Sequence, residues 1–474
     1  PATVQPGGGK MYIYPFDKNP NLGQIEIPLG SGNEFGATPS AWAAQELDSL
    51  LRISTTGYIA IAGIHCRTSM NSAISINGTA SASNINIVGC QVGQVGVLNG
   101  AGSGGANDGI VVTGVDKNTR CSGYSAGNHI YQVRNNAFEI DYTSAWTHEY
   151  NTSVEISANA LAELYVANSN TIIRYNIAKG DWGLTKFRNS TEVTAADAQF
   201  DPTGLWLSGT NDGSTTAPTE NLVNAAYFNI IDEVRGHGVK VNAGTLHLAN
   251  NTIIAGYGNS SVNGLYLGIT STWTGALFNN IVHTKTNNQT LQIQTGSVAT
   301  WSTASNYNFY GAENTTFCNR EFSYTVGASS GVNLTGFQTD RTTSDANSRG
   351  AGHYGNGGGT ASGAGGSWSS LAGEAATVFI QPGAPFLGPK WEPLAVGTQT
   401  GYPSRGELIL IQTGTTTWPM ATNCAWQQVV FTGKSALNTG AAWSAGVIAL
   451  LGAMPTVDVY GKTITSYSIG AVQP

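Results

Sequence analysis

The sequence contains few charged residues. Lys and Arg number 21 and Asp and Glu number 28 among 474 residues, which is 10% of the chain and gives a formal net charge of −7. About 25% is typical of globular chains. A nucleic-acid-binding protein needs a basic surface that faces the phosphates, so this balance argues against that class. No apolar run approaches the ~18 residues of a membrane-spanning helix, and we predict no membrane span.

Several catalytic motifs are also missing from the sequence. It has neither a phosphate-binding glycine loop that ends in Gly-Lys-Ser/Thr nor a His-Glu-x-x-His pair, which leaves nucleotide hydrolysis and zinc proteolysis without support. The Gly-x-Ser-x-Gly pattern occurs around Ser125 and Ser329. A serine esterase needs a helix directly after this serine, and neither site has a helical pattern.

Cysteine is scarce, with 5 residues in the whole chain. An odd number cannot form a closed set of disulfides, and no Cys-x-x-Cys spacing indicates a zinc or redox site. If the chain coils with a period close to the spacing between Cys66 and Cys90, these two cysteines lie on neighbouring turns. They are then either a disulfide or two buried thiols that act as small apolar residues.

Glycine is abundant, with 61 residues, and it punctuates many short β-branched runs from Tyr58 onward. Examples are Ile85–Val88, Gly109–Val112, Gly238–Val241 and Gly264–Leu267. Alternation of apolar and polar residues in such runs is typical of strands. Helical periodicity is nearly absent between them, which argues against folds that alternate strands and helices.

Asparagine recurs at the start of these runs. The repeated corners are Asn135-Asn136, Asn170-Thr171, Asn250-Asn251 and Asn279-Asn280. Asn tolerates the left-handed backbone of a turn, and Asn side chains at matching corners can stack into ladders. A period of about 20–30 residues with short strands predicts a solenoid of parallel strands. A β-propeller is the alternative, but it needs hairpin turns that this sequence has in few places.

These patterns predict four segments. A helix over Ser40–Leu51, capped by Ser40, would close the solenoid near the N-terminus. We therefore predict an N-terminal arm and capping helix over 1–57 and a parallel β-helix over 58–349. A Gly-rich loop over 350–374 and a β-rich C-terminal segment over 375–474 follow.

Several stretches resemble the right-handed parallel β-helix repeat proteins. Gly236–Val239 and Asn250–Ile254 are similar to coils of that family, and Ser305–Tyr310 is similar to a stretch near the end of such helices. Asp458–Lys462 and Ile469–Val472 resemble the closing signature of the family. The resemblance implies an all-β, right-handed parallel β-helix. It implies less about function, because the family includes polysaccharide lyases, glycosidases, phage tailspikes, adhesins and virion structural proteins.

Two groups of basic residues are candidates for catalysis. Lys186 and Arg188 alternate along one run, and Arg235, His237 and Lys240 lie in a dense charged stretch. A lyase that cleaves uronic-acid polymers needs a base, an acid and a cation that neutralises the carboxylate. The family's lyases take a Lys and an Arg from neighbouring coils, and these residues resemble that set in type. The alternative is that they are solvated surface cations.

Paired carboxylates are the candidates for a glycoside hydrolase, which needs two of them roughly 5–10 Å apart. The pairs that adjacent coils can bring together are Glu139 with Asp141, Asp181 with Asp201, and Asp232 with Glu233. We expect no cofactor, with Ca²⁺ as the alternative. Its oxygen ligands would come from Asp108, Asp141 and Asp201.

Aromatic residues beside the strand runs are candidates for carbohydrate binding. They are Trp182, Trp206, Tyr257, Tyr266 and Trp273. Flat rings among Asn, Thr and Ser suit the faces of sugars. The alternative is that the rings stack inside the coils.

Two functions are compatible with these features. The first is a virion or cell-surface structural protein of the tailspike, fibre or decoration type, possible as a homotrimer, that binds glycans or neighbouring virion or surface proteins. The second is a secreted polysaccharide lyase or glycoside hydrolase that acts on acidic polysaccharide, with lyase favoured over hydrolase. The start at Pro1 fits either a removed signal peptide or a lost initiator Met, so we expect a virion or extracellular location without choosing between them.

Overall fold

The computed structural model describes most of the region in which strands are predicted and part of the C-terminus. The described residues are 49–67, 69, 72–95, 107–180, 203–210, 222–234, 236–242, 244–255, 263–267, 275–284, 291–297, 304–312, 322–326, 329–331, 345–351, 440–459, 461, 463–465, 467 and 469–471.

Nearly all the described secondary structure is β. The strands are β1 (Ser49–Ala62), β2 (His65–Arg67), β3 (Ser72–Val88), β4 (Gln91–Val95), β5 (Ile110–Thr113), β6 (Cys121–Ala126), β7 (His129–Val133), β8 (Phe138–Asp141), β9 (Thr143–Glu149), β10 (Thr152–Ile156), β11 (Ala162–Val166), β12 (Ile172–Arg174), β13 (Ile177–Gly180), β14 (Leu205–Thr210), β15 (Val223–Tyr227), β16 (Ile230–Val234), β17 (Val239–Val241), β18 (Thr245–Ala249), β19 (Thr252–Ala255), β20 (Leu265–Leu267), β21 (Leu277–Phe278), β22 (Ile281–Thr284), β23 (Leu291–Ser297), β24 (Phe309–Ala312), β25 (Phe322–Val326), β26 (Ser329–Gly331) and β27 (Arg349–Ala351). A helix, α1 (Ala445–Leu451), follows near the C-terminus.

The strands stack in parallel, each on its equivalent in the next coil. One sheet has 17 strands and the other has 10. The larger sheet resolves into two stacks that share the long strands β1 and β3. Face 1 continues through β5, β8, β11, β14, β17, β20, β23 and β25, and face 2 through β6, β9, β12, β15, β18 and β21. The 10-stranded sheet is face 3. The predicted all-β architecture of parallel strand stacks is confirmed; among the described pairs of strands β1 to β27 only β25–β26 is antiparallel.

Alternation along each strand separates the core from the outer surface. On β8, Phe138 and Ile140 are fully buried in one apolar cluster that runs through the coils, whereas Glu139 and Asp141 point away from it. The β-branched runs of the sequence therefore supply the interior. Their polar alternates supply the outer face of the sheets.

An asparagine ladder marks the corner between faces 2 and 3. Its members are Asn128, Asn151, Asn176, Asn229, Asn251, Asn280 and Asn308. In each step the backbone N–H and the side-chain Nδ2 donate to Oδ1 of the next Asn at 2.8–3.1 Å. The predicted stacking of corner asparagines is confirmed. Successive members are 22–29 residues apart, except that 53 residues separate Asn176 from Asn229.

Part of the glycine content follows from how closely the coils approach each other. A Cβ atom on Gly238 would lie 2.6 Å from the carbonyl oxygen of Gly264, one coil further along. A side chain at this position would push the coils apart, so the entry to face 1 favours glycine.

The predicted N-terminal helix needs correction, and the predicted β-rich C-terminal segment is described only in part. Ser49–Leu51 belongs to β1 and not to a helix, because parallel pairing with β3 buries Leu51 and opposes it to Ile74; residues 40–48 lie outside the described part. At the other end, the described residues of 440–471 hold α1 and one isolated bridge between Val457 and Thr463. The predicted β-rich content is therefore not found there, and 375–439 lies outside the described part.

The cysteines that the structure describes are all reduced. Cys66, Cys90 and Cys121 are buried free thiols, and burial raises the pKa of each to about 12. Of the two alternatives for Cys66 and Cys90, the buried-thiol interpretation is confirmed. No helix in the described part of the chain is long and apolar enough to cross a membrane.

Candidate functional site

A straight column of polar and aromatic side chains runs along the outside of face 1. Glu139, Glu163, Trp206, Lys240 and Tyr266 occupy matching register positions on five successive strands, β8, β11, β14, β17 and β20. Neighbouring strands lie about 4.8 Å apart. The column therefore crosses five coils parallel to the axis of the stack.

Four carboxyl groups cluster at one end of this column. Asp141 lies two residues after Glu139, so both point outward from β8. Glu163 is the next member of the column. Asp108 lies just before β5, the strand that pairs with β8, and is in electrostatic contact with Glu139 and Glu163. Asp108, Asp141 and Glu163 are buried, and Glu139 is half-buried.

Burial changes the protonation of this cluster. Loss of hydration, followed by the charge of Glu139, raises the pKa of Asp108 and of Asp141 well above the usual range and that of Glu163 to about 8. Burial also raises the pKa of Glu139, but hydrogen bonds from Asp141, Asn136 and Asp108 oppose this rise. A pKa of about 8 leaves Glu163 largely protonated at neutral pH.

Two buried carboxyl oxygens of the cluster have no donor among the described residues: Oδ2 of Asp108 and Oδ1 of Asp141. Both aspartates also have a side-chain hydrogen bond with Glu139. Oδ1 of Asp108 accepts from the backbone N–H of Asn136 at 3.0 Å and from Nδ2 of Asn135 at 2.8 Å.

Aromatic rings and a lysine continue the column. Lys240 Nζ lies 4.9 Å from the ring centre of Trp206 and 5.8 Å from that of Tyr266, within the range of cation–π attraction. The imidazole of His237 lies 4.8 Å from the Tyr266 ring, and its Nδ1 accepts from the backbone N–H of Asn263 at 3.0 Å. This fixes the neutral imidazole with its proton on Nε2.

Tyr165 adds an accessible ring beside the carboxyl groups. It follows Glu163 by two residues on β11 and is 40% exposed. Burial, followed by the charges of Glu163, Asp141 and Glu139, raises the pKa of Tyr165. The candidate site therefore has a solvent-accessible aromatic surface next to partly dehydrated acids.

The structure brings together several residues that the sequence singles out. His237, Lys240, Trp206 and Tyr266 meet on face 1, as does the pair Glu139 and Asp141. The remaining predicted site residues, Trp182, Lys186, Arg188, Arg235, Tyr257 and Trp273, together with Asp181 and Asp201, lie outside the described part of the chain.

The charged stretch that contains His237 is divided between two faces. Asp232 lies on β16 of face 3, opposite Lys179, whereas Lys240 lies on β17 of face 1. The dense charge of the sequence is therefore not one surface patch. Glu163 was missed by the sequence-based selection; the alternation in Ala162–Val166 is a signal that its side chain points outward, but the register with Glu139 is visible only in the structure.

No group of three or more His, Cys, Asp or Glu side chains within the described ranges has the arrangement of a metal site. Asp108 and Asp141, two of the three candidates for Ca²⁺, instead share hydrogen bonds with Glu139. The third candidate, Asp201, is not among the described residues.

Ser125, in one of the two Gly-x-Ser-x-Gly patterns, contacts a histidine. Its Oγ lies 2.8 Å from Nδ1 of His148 and accepts from Nε1 of Trp146 at 3.1 Å. All three residues are fully buried inside the coils. No substrate can reach this serine in the folded chain, so the pair is part of the core.

Comparison with protein-family models, with curated proteins and with solved structures finds no match to the chain.

Proposed function

We propose that this chain is a right-handed parallel β-helix protein that binds an acidic polysaccharide along face 1 and hydrolyses its glycosidic bonds. The observation that carries the proposal is the cluster of Glu139, Asp141 and Glu163 beside an aromatic column. Most glycoside hydrolases use two carboxyl groups held in opposite protonation states.

The two glutamates fit these two roles. Glu163, whose pKa is raised to about 8, is protonated at neutral pH and donates its proton to the glycosidic oxygen as the bond to the anomeric carbon breaks. Glu139, in register with Glu163 on the next strand, attacks the anomeric carbon as that bond breaks and forms a glycosyl ester; water, which gives its proton to Glu163, then hydrolyses the ester and releases Glu139. Asp141 donates a hydrogen bond to Glu139 and keeps it in its ionised form.

The aromatic column supplies the binding surface. Sugar rings stack on Tyr165, Trp206 and Tyr266, and the spacing of the strands is close to that of successive units in an extended polysaccharide. Lys240 contributes a cation between two of the rings, which favours a polymer with carboxylate or sulfate groups. Hydrolysis is favoured over elimination because the carboxyl groups of Glu139, Asp141 and Glu163 lie together beside the aromatic column.

A virion or cell-surface protein of the tailspike type is the second candidate, with the same aromatic column used for glycan binding without cleavage. The aromatic column favours this second candidate, because a sugar ring can stack on Trp206 or Tyr266 without any of the carboxyl groups. Both candidates place the protein in a virion or outside the cell. A homotrimer is compatible with either candidate function, provided that face 1 of each subunit stays open to glycan.

Incubation of the protein with a panel of acidic and neutral polysaccharides tests the proposal. We expect new reducing ends without the ultraviolet absorbance of unsaturated uronates. Glu163→Gln and Glu139→Gln should each lower the rate at least 100-fold, whereas the control Glu155→Gln, on face 3, should not. Glycan binding without reducing ends would favour the tailspike-type candidate, and unsaturated products would show a lyase. A hydrolase rate unchanged in both active-site variants would place catalysis elsewhere.

A further inference from the structure

We infer that Asn136 is a positioning residue that fixes the separation of Glu139 and Glu163 through one shared amide group. The inference rests on the proposed function for its catalytic meaning, although its geometry stands without it. Asn136 is 1% exposed and lies at the corner directly before β8. It therefore lies behind the carboxyl groups, out of reach of a substrate on the outer face.

A single nitrogen holds both glutamates. Nδ2 of Asn136 donates to Oε2 of Glu139 at 3.1 Å and to Oε2 of Glu163 at 2.6 Å. A side-chain amide carries two N–H groups at a fixed angle in one plane. The two carboxyl oxygens, which belong to successive coils, are consequently held on either side of that nitrogen and cannot move together to share a proton directly.

The amide plane of Asn136 is itself held in place. Its Oδ1 accepts from Nδ2 of Asn159 at 2.6 Å, and its backbone N–H donates to Oδ1 of Asp108 at 3.0 Å. Rotation of the amide by half a turn would direct Oδ1 at the two glutamates and Nδ2 at the NH₂ group of Asn159. The two NH₂ groups of Asn136 and Asn159 would then face each other, and this repulsion favours the observed orientation.

Asn159 supports the same arrangement from the next coil. Its Nδ2 also donates to Oε2 of Glu163 at 3.2 Å. Glu163 thus receives donors from two amides, whereas Glu139 receives one amide donor and the carboxyl groups of its neighbours. The unequal supply of donors gives the two glutamates different surroundings although they occupy equivalent register positions.

Loss of the shared amide has a definite consequence. A hydrogen bond to a carboxylate stabilises its charged form, so removal of the donor raises the pKa of both glutamates. Without the nitrogen between them, the two carboxyl groups titrate as one coupled pair. Both limbs of the pH–rate profile would then move to higher pH, and kcat would fall while KM stays near its original value.

The test compares Asn136→Ala and the isosteric Asn136→Asp with the control Gln132→Ala, whose amide donates to Glu155 on face 3 and to neither glutamate of the cluster. Carbon-13 NMR of labelled glutamate carboxyl groups, assigned with Glu139→Gln and Glu163→Gln, follows each titration without any need for activity. We expect Asn136→Ala to raise both midpoints by about one pH unit and to lower kcat at least 10-fold. Gln132→Ala should leave both midpoints in place.

Unchanged midpoints in Asn136→Ala, or equal shifts in Gln132→Ala, would overturn the inference. If Asn136→Ala does not fold, as judged by circular dichroism, Asn159→Ala serves instead, because it removes the restraint on the amide and should produce a smaller shift in the same direction. An inactive wild-type protein whose midpoints still shift would refute the proposed hydrolase and leave the positioning geometry intact.

Discussion

Trp443 Nε1 donates a hydrogen bond of 2.8 Å to Oδ1 of Asn250, which lies 193 residues earlier in the chain. The indole is 4% exposed and meets the ring of Tyr227 edge-on, with 5.5 Å between ring centres. One coil away, Asn279 exchanges two hydrogen bonds with the backbone of Ala441, at 2.7 and 3.2 Å. The corner asparagines with left-handed backbone therefore also bind the C-terminal segment to the side of the stack.

Trp443→Ala should destabilise the protein by about 3–5 kcal/mol, because it removes a large buried ring and leaves a cavity against Tyr227. Trp443→Phe keeps most of the apolar contact and loses the hydrogen bond to Asn250, so about 1 kcal/mol is expected. Urea unfolding followed by circular dichroism measures both values. Equal stability of the two variants would mean that the ring contact contributes little.

The asparagine ladder should be most sensitive at its centre. Asn229→Ala removes a buried amide that bonds to Asn176, Asn251 and the carbonyl of Ile173. We expect a loss of about 2–4 kcal/mol, since several buried partners are left unsatisfied. Asn347→Ala is the control, because this exposed side chain lies outside the ladder, and it should change the free energy of unfolding by less than about 0.5 kcal/mol.

Stability should be greatest between about pH 4 and pH 6.5. Burial lowers the pKa of His129 and His148 to about 3. Below the ordinary histidine pKa, the unfolded chain therefore binds more protons than the folded chain. Stability falls for this reason as the solution becomes acidic. The carboxyl cluster acts in the opposite direction. Burial raises the pKa of Glu163 to about 8, and the folded state loses stability as pH rises from the ordinary carboxyl range through that value.

Thermal melting across this pH range separates the two contributions. Glu163→Gln removes a buried acid that must ionise, so it should raise Tm by several degrees above pH 8 and change it little at pH 5. His148→Gln should reduce the loss of stability below pH 5. A melting temperature that is independent of pH would contradict the buried, neutral state of these groups.

Ser125 should be chemically inert despite its contact with His148. The serine, the histidine and the neighbouring Trp146 are fully buried, and no carboxylate orients the imidazole. We expect no labelling by a fluorophosphonate probe in the folded protein, and Ser125→Ala should leave polysaccharide cleavage unchanged. Labelling that Ser125→Ala removes would show a route into the core that the described residues do not provide.

The repeating features of the fold were predictable from the sequence. The β-branched runs, the corner asparagines and the scarcity of helical periodicity predicted parallel strands, and the pairing of Asn251 with Asn280 confirms the stacking of corners. The segment over Ser49–Leu51 was predicted incorrectly, because its apolar residues suit a helix face as well as a strand. Pairing of Leu51 with Ile74 in β3 decides between these alternatives.

The candidate site was only partly predictable. Lys240, Trp206 and Tyr266 were each selected by residue type, and alternation placed Glu139 and Asp141 on one face. The sequence could not place Asp108 or Glu163 beside them, because coil lengths vary and one ladder step spans 53 residues instead of 22–29.

The sequence by itself determined the kind of structure, since local alternation and turn chemistry act within each coil. The tertiary structure decided which side chains meet. Contacts such as Asn136 with Glu163 depend on the register between successive coils, which the backbone hydrogen bonds of the stacked strands set. The docking of Trp443 on Asn250 depends on apolar burial between segments far apart in the chain, for which no local pattern exists.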